Sequence, residues 1–192
     1  MNREKRMLRA SISEFTTRED GENPIIEGYF AVYNSNYQIA DDMSESIAPG
    51  AFSECLNEDI RALINHDTSM VLGRSKAYTL YLEDRPFGLW CVIKINPKDV
   101  DAMNLYERVK RGDVDQCSIG FDILSEETEF RDDGSVHWTI TKAFLYEVSV
   151  CTFPAYEETT VSARQKDFDS IKKRNHEKWQ GEMRRKLRGD AQ

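Results

Sequence analysis

Three short segments carry side chains that could do chemistry together: Asn65-His66-Asp67, Cys117-Ser118-Ile119-Gly120-Phe121 and Tyr146-Glu147-Val148-Ser149-Val150. They supply an imidazole, a hydroxyl and a carboxylate. A serine hydroxyl is a weak nucleophile at neutral pH until a neighbouring base takes its proton, and an imidazole serves best as that base when a third group fixes its tautomer. The set points to covalent acyl transfer, with Ser118 attacking, His66 as base and Glu147 as the acid that orients it.

Each assignment has a plainer reading. A histidine at a strand end is more often a structural hydrogen-bond partner, and Glu147, costly to bury alone, could be held by a salt bridge to Arg61, Lys94 or Lys142. Alternation along an extended chain sends Cys117, Ile119 and Phe121 to one face and Ser118, Gly120 and Asp122 to the other. Cys117, the rival nucleophile, is thereby turned toward the core, and Gly120 leaves space beside the Ser118 hydroxyl. Asp67, next to His66 in extended chain, points to the opposite face. His137 follows the Asp132-Asp133-Gly134 turn and His176 lies in a charged stretch, so neither position indicates a shielded site. A zinc site of His66, Cys117 and Glu147 would lack helical or knuckle spacing, and no phosphate-cradling glycine loop is present. No cofactor or metal is expected.

Mostly strands must position these groups. Period-two alternation with β-branched and aromatic residues predicts strands over 7–15, 25–33, 45–48, 60–65, 78–83, 88–95, 116–124, 136–141 and 143–152. Turn chemistry at Asp20-Gly21, Pro49-Gly50, Pro86 to Gly88 and Asp132-Asp133-Gly134 separates several of them. One helix has strong end signals: Asn96 as cap, Pro97 at the first turn, Asp99 and Asp101 at its positive end, an Ala102, Leu105, Tyr106, Val109 stripe, and Gly112 as stop. A shorter helix is expected from Gly50, carrying Phe52 and Leu56. Many short strands with few helices predict an α+β, β-rich fold, a single closed or nearly closed β-barrel with helices outside it.

The chain has 192 residues, room for one core and an appendage. Its longest apolar run, Leu89 to Ile93, falls far short of the roughly 20 residues that cross a bilayer, and no apolar segment follows the basic N-terminus, so no secretory signal is read. The four cysteines lie 26 to 36 residues apart and read as reduced thiols. From Arg164 onward there are ten basic residues against five acidic, whereas the preceding body is acidic; the net charge of the whole is -8. That asymmetry marks residues 1–163 as a domain and 164–192 as a basic, helical tail.

In these segments the chain resembles the prohead (capsid-maturation) serine proteases of tailed bacteriophages, a family similar to the herpesvirus assemblins. The resemblance runs in order through Gly28 to Asn34, Glu45 to Phe52, Asn65-His66-Asp67 with Leu72-Gly73, Gly88-Leu89, the helix from Asp99, Ser118 to Phe121, and Leu145 to Val150 through Pro154-Ala155-Tyr156. Gln116-Cys117 before the serine departs from the small or apolar residues of many relatives. The resemblance implies His66 and Ser118 as catalytic residues with Glu147 as the acidic third. An oxyanion donor is looked for at the backbone N–H of Ala155. It also implies an endopeptidase, packaged in the assembling procapsid in the host cytoplasm, that cleaves the scaffolding segment of the major capsid protein and itself. The tail would be a removable segment that docks the protease onto an acidic scaffold or holds it quiet during assembly. No direct nucleic-acid or membrane partner is implied, and a homo-oligomer is left open. A catalytically inactive assembly protein with the same barrel is the alternative, which the presence of all three groups disfavours.

Overall fold

The alternating stretches pair into two β-sheets, and the structure, a computed structural model, describes residues 5–10, 16–20, 23–153 and 158–187. Seven strands form the first sheet: β1 (Lys5–Ala10), β4 (Tyr37–Ala40), β5 (Met43–Ile47), β6 (Arg61–Ile64), β7 (Asp67–Arg74), β10 (Gln116–Phe130) and β11 (Val136–Cys151). The second runs in the order β2 (Thr16–Asp20), β3 (Asn23–Val32), β9 (Gly88–Lys94), β8 (Leu80–Arg85). Helix α1 spans Val100–Arg111 and α2 spans Glu158–Leu187. None of the described helices is long and apolar enough to cross a membrane.

The spine of the first sheet is the antiparallel hairpin β10–β11, 15 and 16 residues long. It turns at the expected Asp-Asp-Gly, where Gly134 takes φ +86 and the Arg131 N–H donates to Ser135 O at 3.0 Å. On one side β1 pairs with β10. On the other, two parallel partners share the edge of β11: β5 along Val136–Ile140 and β6 along Glu147–Val150. The end of β6 is thereby delivered to the stretch of β11 that holds Glu147.

The described strands do not close into the expected barrel. Both sheets keep open ends among the described strands, β1, β4 and β7 in one, β2 and β8 in the other. The apolar surface is buried by layering instead. Ile26, Phe30, Cys91 and Ile93 of the second sheet share one core with Cys117, Ile119, Phe121, Leu145, Val148 and Val150 of the first. The stripe Ala102, Leu105, Tyr106 and Val109 of α1 joins the same core. Its cap is Asp99, whose Oδ1 accepts from the N–H groups of Asp101 and Ala102, at 3.0 and 3.1 Å. Asn96, the residue expected there, instead accepts from Lys98 N–H in a turn just ahead of the helix. The short helix expected from Gly50 is a run of turns, with the N–H of Ser53, Cys55 and Glu58 each reaching back three residues, to Gly50, Phe52 and Cys55. Phe52 is buried all the same.

Helix α2 runs unbroken across residues 163 and 164. Its Phe168 is buried in a second, smaller cluster with Ile39, Met43, Val136 and Trp138. Filling such a pocket with a phenyl ring is worth about 3–5 kcal/mol. Because the helix is otherwise highly charged and exposed over 176–179, Phe168→Ala should undock α2 and leave the sheets folded. Limited proteolysis should then cut within α2 on the order of 100-fold faster, with the body as resistant as before.

Candidate active site

β6 and β7 are joined by only two residues, Asn65 and His66, both at positive φ, +49 and +62. Positive φ at both central residues of a two-residue loop fits a hairpin turn of the primed kind. Asparagine tolerates it well; a histidine is held there at a cost of about 1–2 kcal/mol. The hold comes from β11. Asn65 N–H donates to Val150 O at 3.1 Å, Asn65 Oδ1 accepts from Thr152 N–H at 3.0 Å, and His66 N–H donates to Ser149 Oγ at 3.1 Å. The turn is thus stitched to the neighbouring strand and its imidazole is laid over Glu147.

His66 Nδ1 lies 2.7 Å from Glu147 Oε1, with the two side chains 12% and 6% exposed. Facing a carboxylate, Nδ1 carries the proton and donates it, which leaves the Nε2 lone pair for a substrate-side proton. Nε2 is buried and has no hydrogen-bond partner among the described residues. The other carboxylate oxygen, Oε2, accepts from Ser149 Oγ at 2.6 Å. The salt-bridge alternatives are not what holds Glu147: Arg61 pairs with Asp59 and Lys142 with Glu54, while Lys94 Nζ lies 3.3 Å from Tyr81 Oη.

Ser149 has no role in the sequence reading, yet it ties both partners together, donating to the acid and accepting from the backbone of the base. It is fully buried. The available signal was its parity with Glu147, two residues away on the same strand face.

Ser118 stands directly opposite Ser149 in the β10–β11 ladder, and Gly120 opposite Glu147. Cross-strand partners share a face, so the hydroxyl is on the Glu147 and Ser149 side of the sheet and is itself fully buried. The structure joins His66 to Glu147 and sets Ser118 one strand away, without a hydrogen bond to Nε2. Cys117 faces the core: its Sγ donates to Tyr29 O at 3.3 Å, and burial pushes the thiol well above its ordinary range. It is held as an inert thiol. Ala155, expected to supply an oxyanion donor, lies outside the described residues, as do Pro154 and Tyr156.

His137 proves to be shielded, against expectation, because β5 runs alongside it in parallel. Ser44 Oγ lies 2.8 Å from its Nδ1 and Ser46 Oγ 2.9 Å from its Nε2, and burial lowers its pKa. With a serine hydroxyl against each ring nitrogen, it bridges β5 to β11 and differs from His66, whose Nδ1 faces a carboxylate oxygen.

The glycine at 120 makes room for the acid rather than for the hydroxyl alone. A Cβ there would fall 2.5 Å from Glu147 Oε1 and 3.1 Å from its Cδ and Cγ. The carboxylate would have to swing away, and doing so gives up its bonds to His66 and Ser149. Gly120→Ala should therefore lower kcat/KM by roughly 100-fold or more, the scale of losing a positioning group. Combined with Glu147→Gln it should add little further loss, because both changes remove one contact. Steady-state kinetics on the two single variants and the double variant check this.

Residues 12–174 match the family described as caudovirus prohead serine protease. The chain is 31% identical over 165 residues to the prohead protease of Enterobacteria phage HK97, covering 83% of this chain and 68% of that protein. The fold is similar to that of the bacteriophage T4 capsid assembly protease, with a TM-score of 0.50 at 11% identity over 79% of this chain and 99% of the other.

Proposed function

Because the chain belongs to the caudovirus prohead serine protease family, we propose that its protease chemistry runs through Ser118, His66 and Glu147. The observation that carries this reading is the Glu147–His66 hydrogen bond of 2.7 Å, which orients Nε2 as the free base on the sheet face that also bears Ser118. Ser118 Oγ attacks the scissile carbonyl carbon as His66 Nε2 takes its proton. The imidazolium then returns the proton to the leaving amine as the C–N bond breaks, and water hydrolyses the acyl-enzyme in the same way. Glu147 offsets the imidazolium charge, and Ser149 holds the carboxylate so that its other oxygen stays on Nδ1. A small rotation of the serine or the ring closes the nucleophile–base bond on substrate binding, since such bonds are often long without substrate.

The substrate is the scaffolding segment of the major capsid protein, with the enzyme itself as a second substrate, and the site of action is the assembling procapsid in the host cytoplasm. The excess of basic residues from Arg164 onward supports a tail that docks on acidic scaffold and is removed afterwards. The test is to incubate the purified chain with the unprocessed capsid protein of the same phage and follow both intact masses. The expected result is a capsid protein shortened at defined sites, with loss of cutting once a fluorophosphonate has added its phosphonyl mass to Ser118. A capsid precursor of unchanged mass would overturn the assignment of substrate. Cutting that persists after Ser118 is fully phosphonylated would overturn the assignment of nucleophile.

A further inference from the structure

Ser118 is fully buried, and both edges of its strand are paired. On one side is β11, beyond which lie β6 and the His66 turn. On the other side is β1, with Arg9 in register with Ser118 and Ala10 with Cys117. The imidazole that takes the serine proton must also reach the leaving amine, so the scissile peptide has to lie across Ser118 within range of His66. Of the two edges of β10, the β11 edge carries the contacts that hold Glu147 and His66 in place, so the edge that can be given up to a peptide without dismantling the site is the one that β1 holds. An extended peptide is best gripped by strand addition, main chain to main chain, at a sheet edge, and the edge of β10 would be that edge if β1 were not on it. β1 is itself a terminal strand of the sheet, and the family match begins at Ile12, after β1 has ended. The segment covering the nucleophile's strand is thus outside the part of the chain that matches the family.

We propose that β1 is a displaceable occupant of the substrate's strand position: it pairs with β10 in the resting chain, and an extended segment of the substrate polypeptide pairs there once β1 leaves. The proposal rests on the reading of Ser118 as nucleophile. It makes access to Ser118 depend on how readily a six-residue edge strand lets go.

The experiment reads the rate at which a rhodamine-tagged fluorophosphonate labels Ser118 in the full-length chain. Successive N–H groups of an edge strand point alternately at the partner strand and away from it, so Met7→Pro and Leu8→Pro form a matched pair. One removes a bond to β10, and the other removes an outward-facing N–H that an edge strand can spare. One of the two should label about tenfold faster than wild type, and the other close to the wild-type rate. In the opposite direction, Ala10→Cys places a thiol in register with native Cys117, within the span of a disulfide. Oxidation should cross-link the two, verified by mass, and slow labelling at least tenfold, and dithiothreitol should restore it.

Equal labelling of the cross-linked and reduced forms would overturn the proposal. So would failure of the cross-link to form, since β1 would then not hold that edge. If neither proline variant folds, the cross-link comparison decides alone. A Ser118→Ala chain labelled as fast as wild type would be a different failure, that of the nucleophile assignment. Labelling that depends on Ser118 but ignores β1 would leave that assignment standing and remove only the latch.

Discussion

Ser118→Ala is expected to abolish processing of the capsid precursor, a loss of roughly 10⁴- to 10⁶-fold in kcat, with the fold intact. The hydroxyl is the only atom removed, and the position is a buried one in a strand paired on both sides. The stability change should stay near 1 kcal/mol, the net worth of an ordinary hydrogen bond. Cys117→Ala should behave in the opposite way. That sulfur fills part of the main core and is kept as a thiol by burial, so its removal costs stability on the order of 1 kcal/mol while cleavage continues. Steady-state cleavage together with thermal denaturation of the two variants separates the assignments. A dead Cys117→Ala beside an active Ser118→Ala would move the nucleophile one residue and convert the chemistry to that of a cysteine protease.

The face on which each of these neighbours lies was legible from alternation alone, because β10 buries one face in the main core along Cys117, Ile119 and Phe121. Where that condition lapses, the pattern is silent. Beyond Leu124 the strand is exposed on both faces through Phe130; it stays extended because β11 pairs with it, and the predicted strand stops at 124. β7 was missed for the same reason, since most of its residues from Asp67 to Val71 are exposed. The histidine was found but its conformation was not. Asn-His lacks the glycine that advertises a primed turn, and what sustains positive φ at His66 is a set of bonds to β11, 83 positions away for Ser149. Ser149 itself needed that contact to acquire a role. Barrel closure was the least legible of all, because it depends on how strands stagger and tilt, which no residue pattern records.

Glu147→Gln is the change that tests the acid most sharply, since it keeps the shape and removes the charge. In the native site both carboxylate oxygens accept, one from His66 Nδ1–H and the other from Ser149 Oγ–H. An amide can offer only one acceptor. If its oxygen stays on His66, the NH₂ faces Ser149, whose oxygen already accepts from His66 N–H at 3.1 Å; the serine can take a second donor, but its own O–H is then buried without its acceptor. If the amide flips, Ser149 is satisfied and the NH₂ donates to Nδ1, which forces the ring proton onto Nε2 and removes the base. Either way the imidazolium loses its compensating anion. A drop of roughly 10⁴-fold in kcat is expected, the scale seen when an acid of this kind becomes an amide, with KM little changed because no substrate contact is lost. Proton and ¹⁵N spectra of the imidazole decide between the two amide orientations: a hydrogen-bonded Nδ1–H that persists selects the first, and its replacement by Nε2–H selects the second. Cleavage at the wild-type rate would mean that His66 is oriented by something other than Glu147, and the third catalytic role would belong elsewhere.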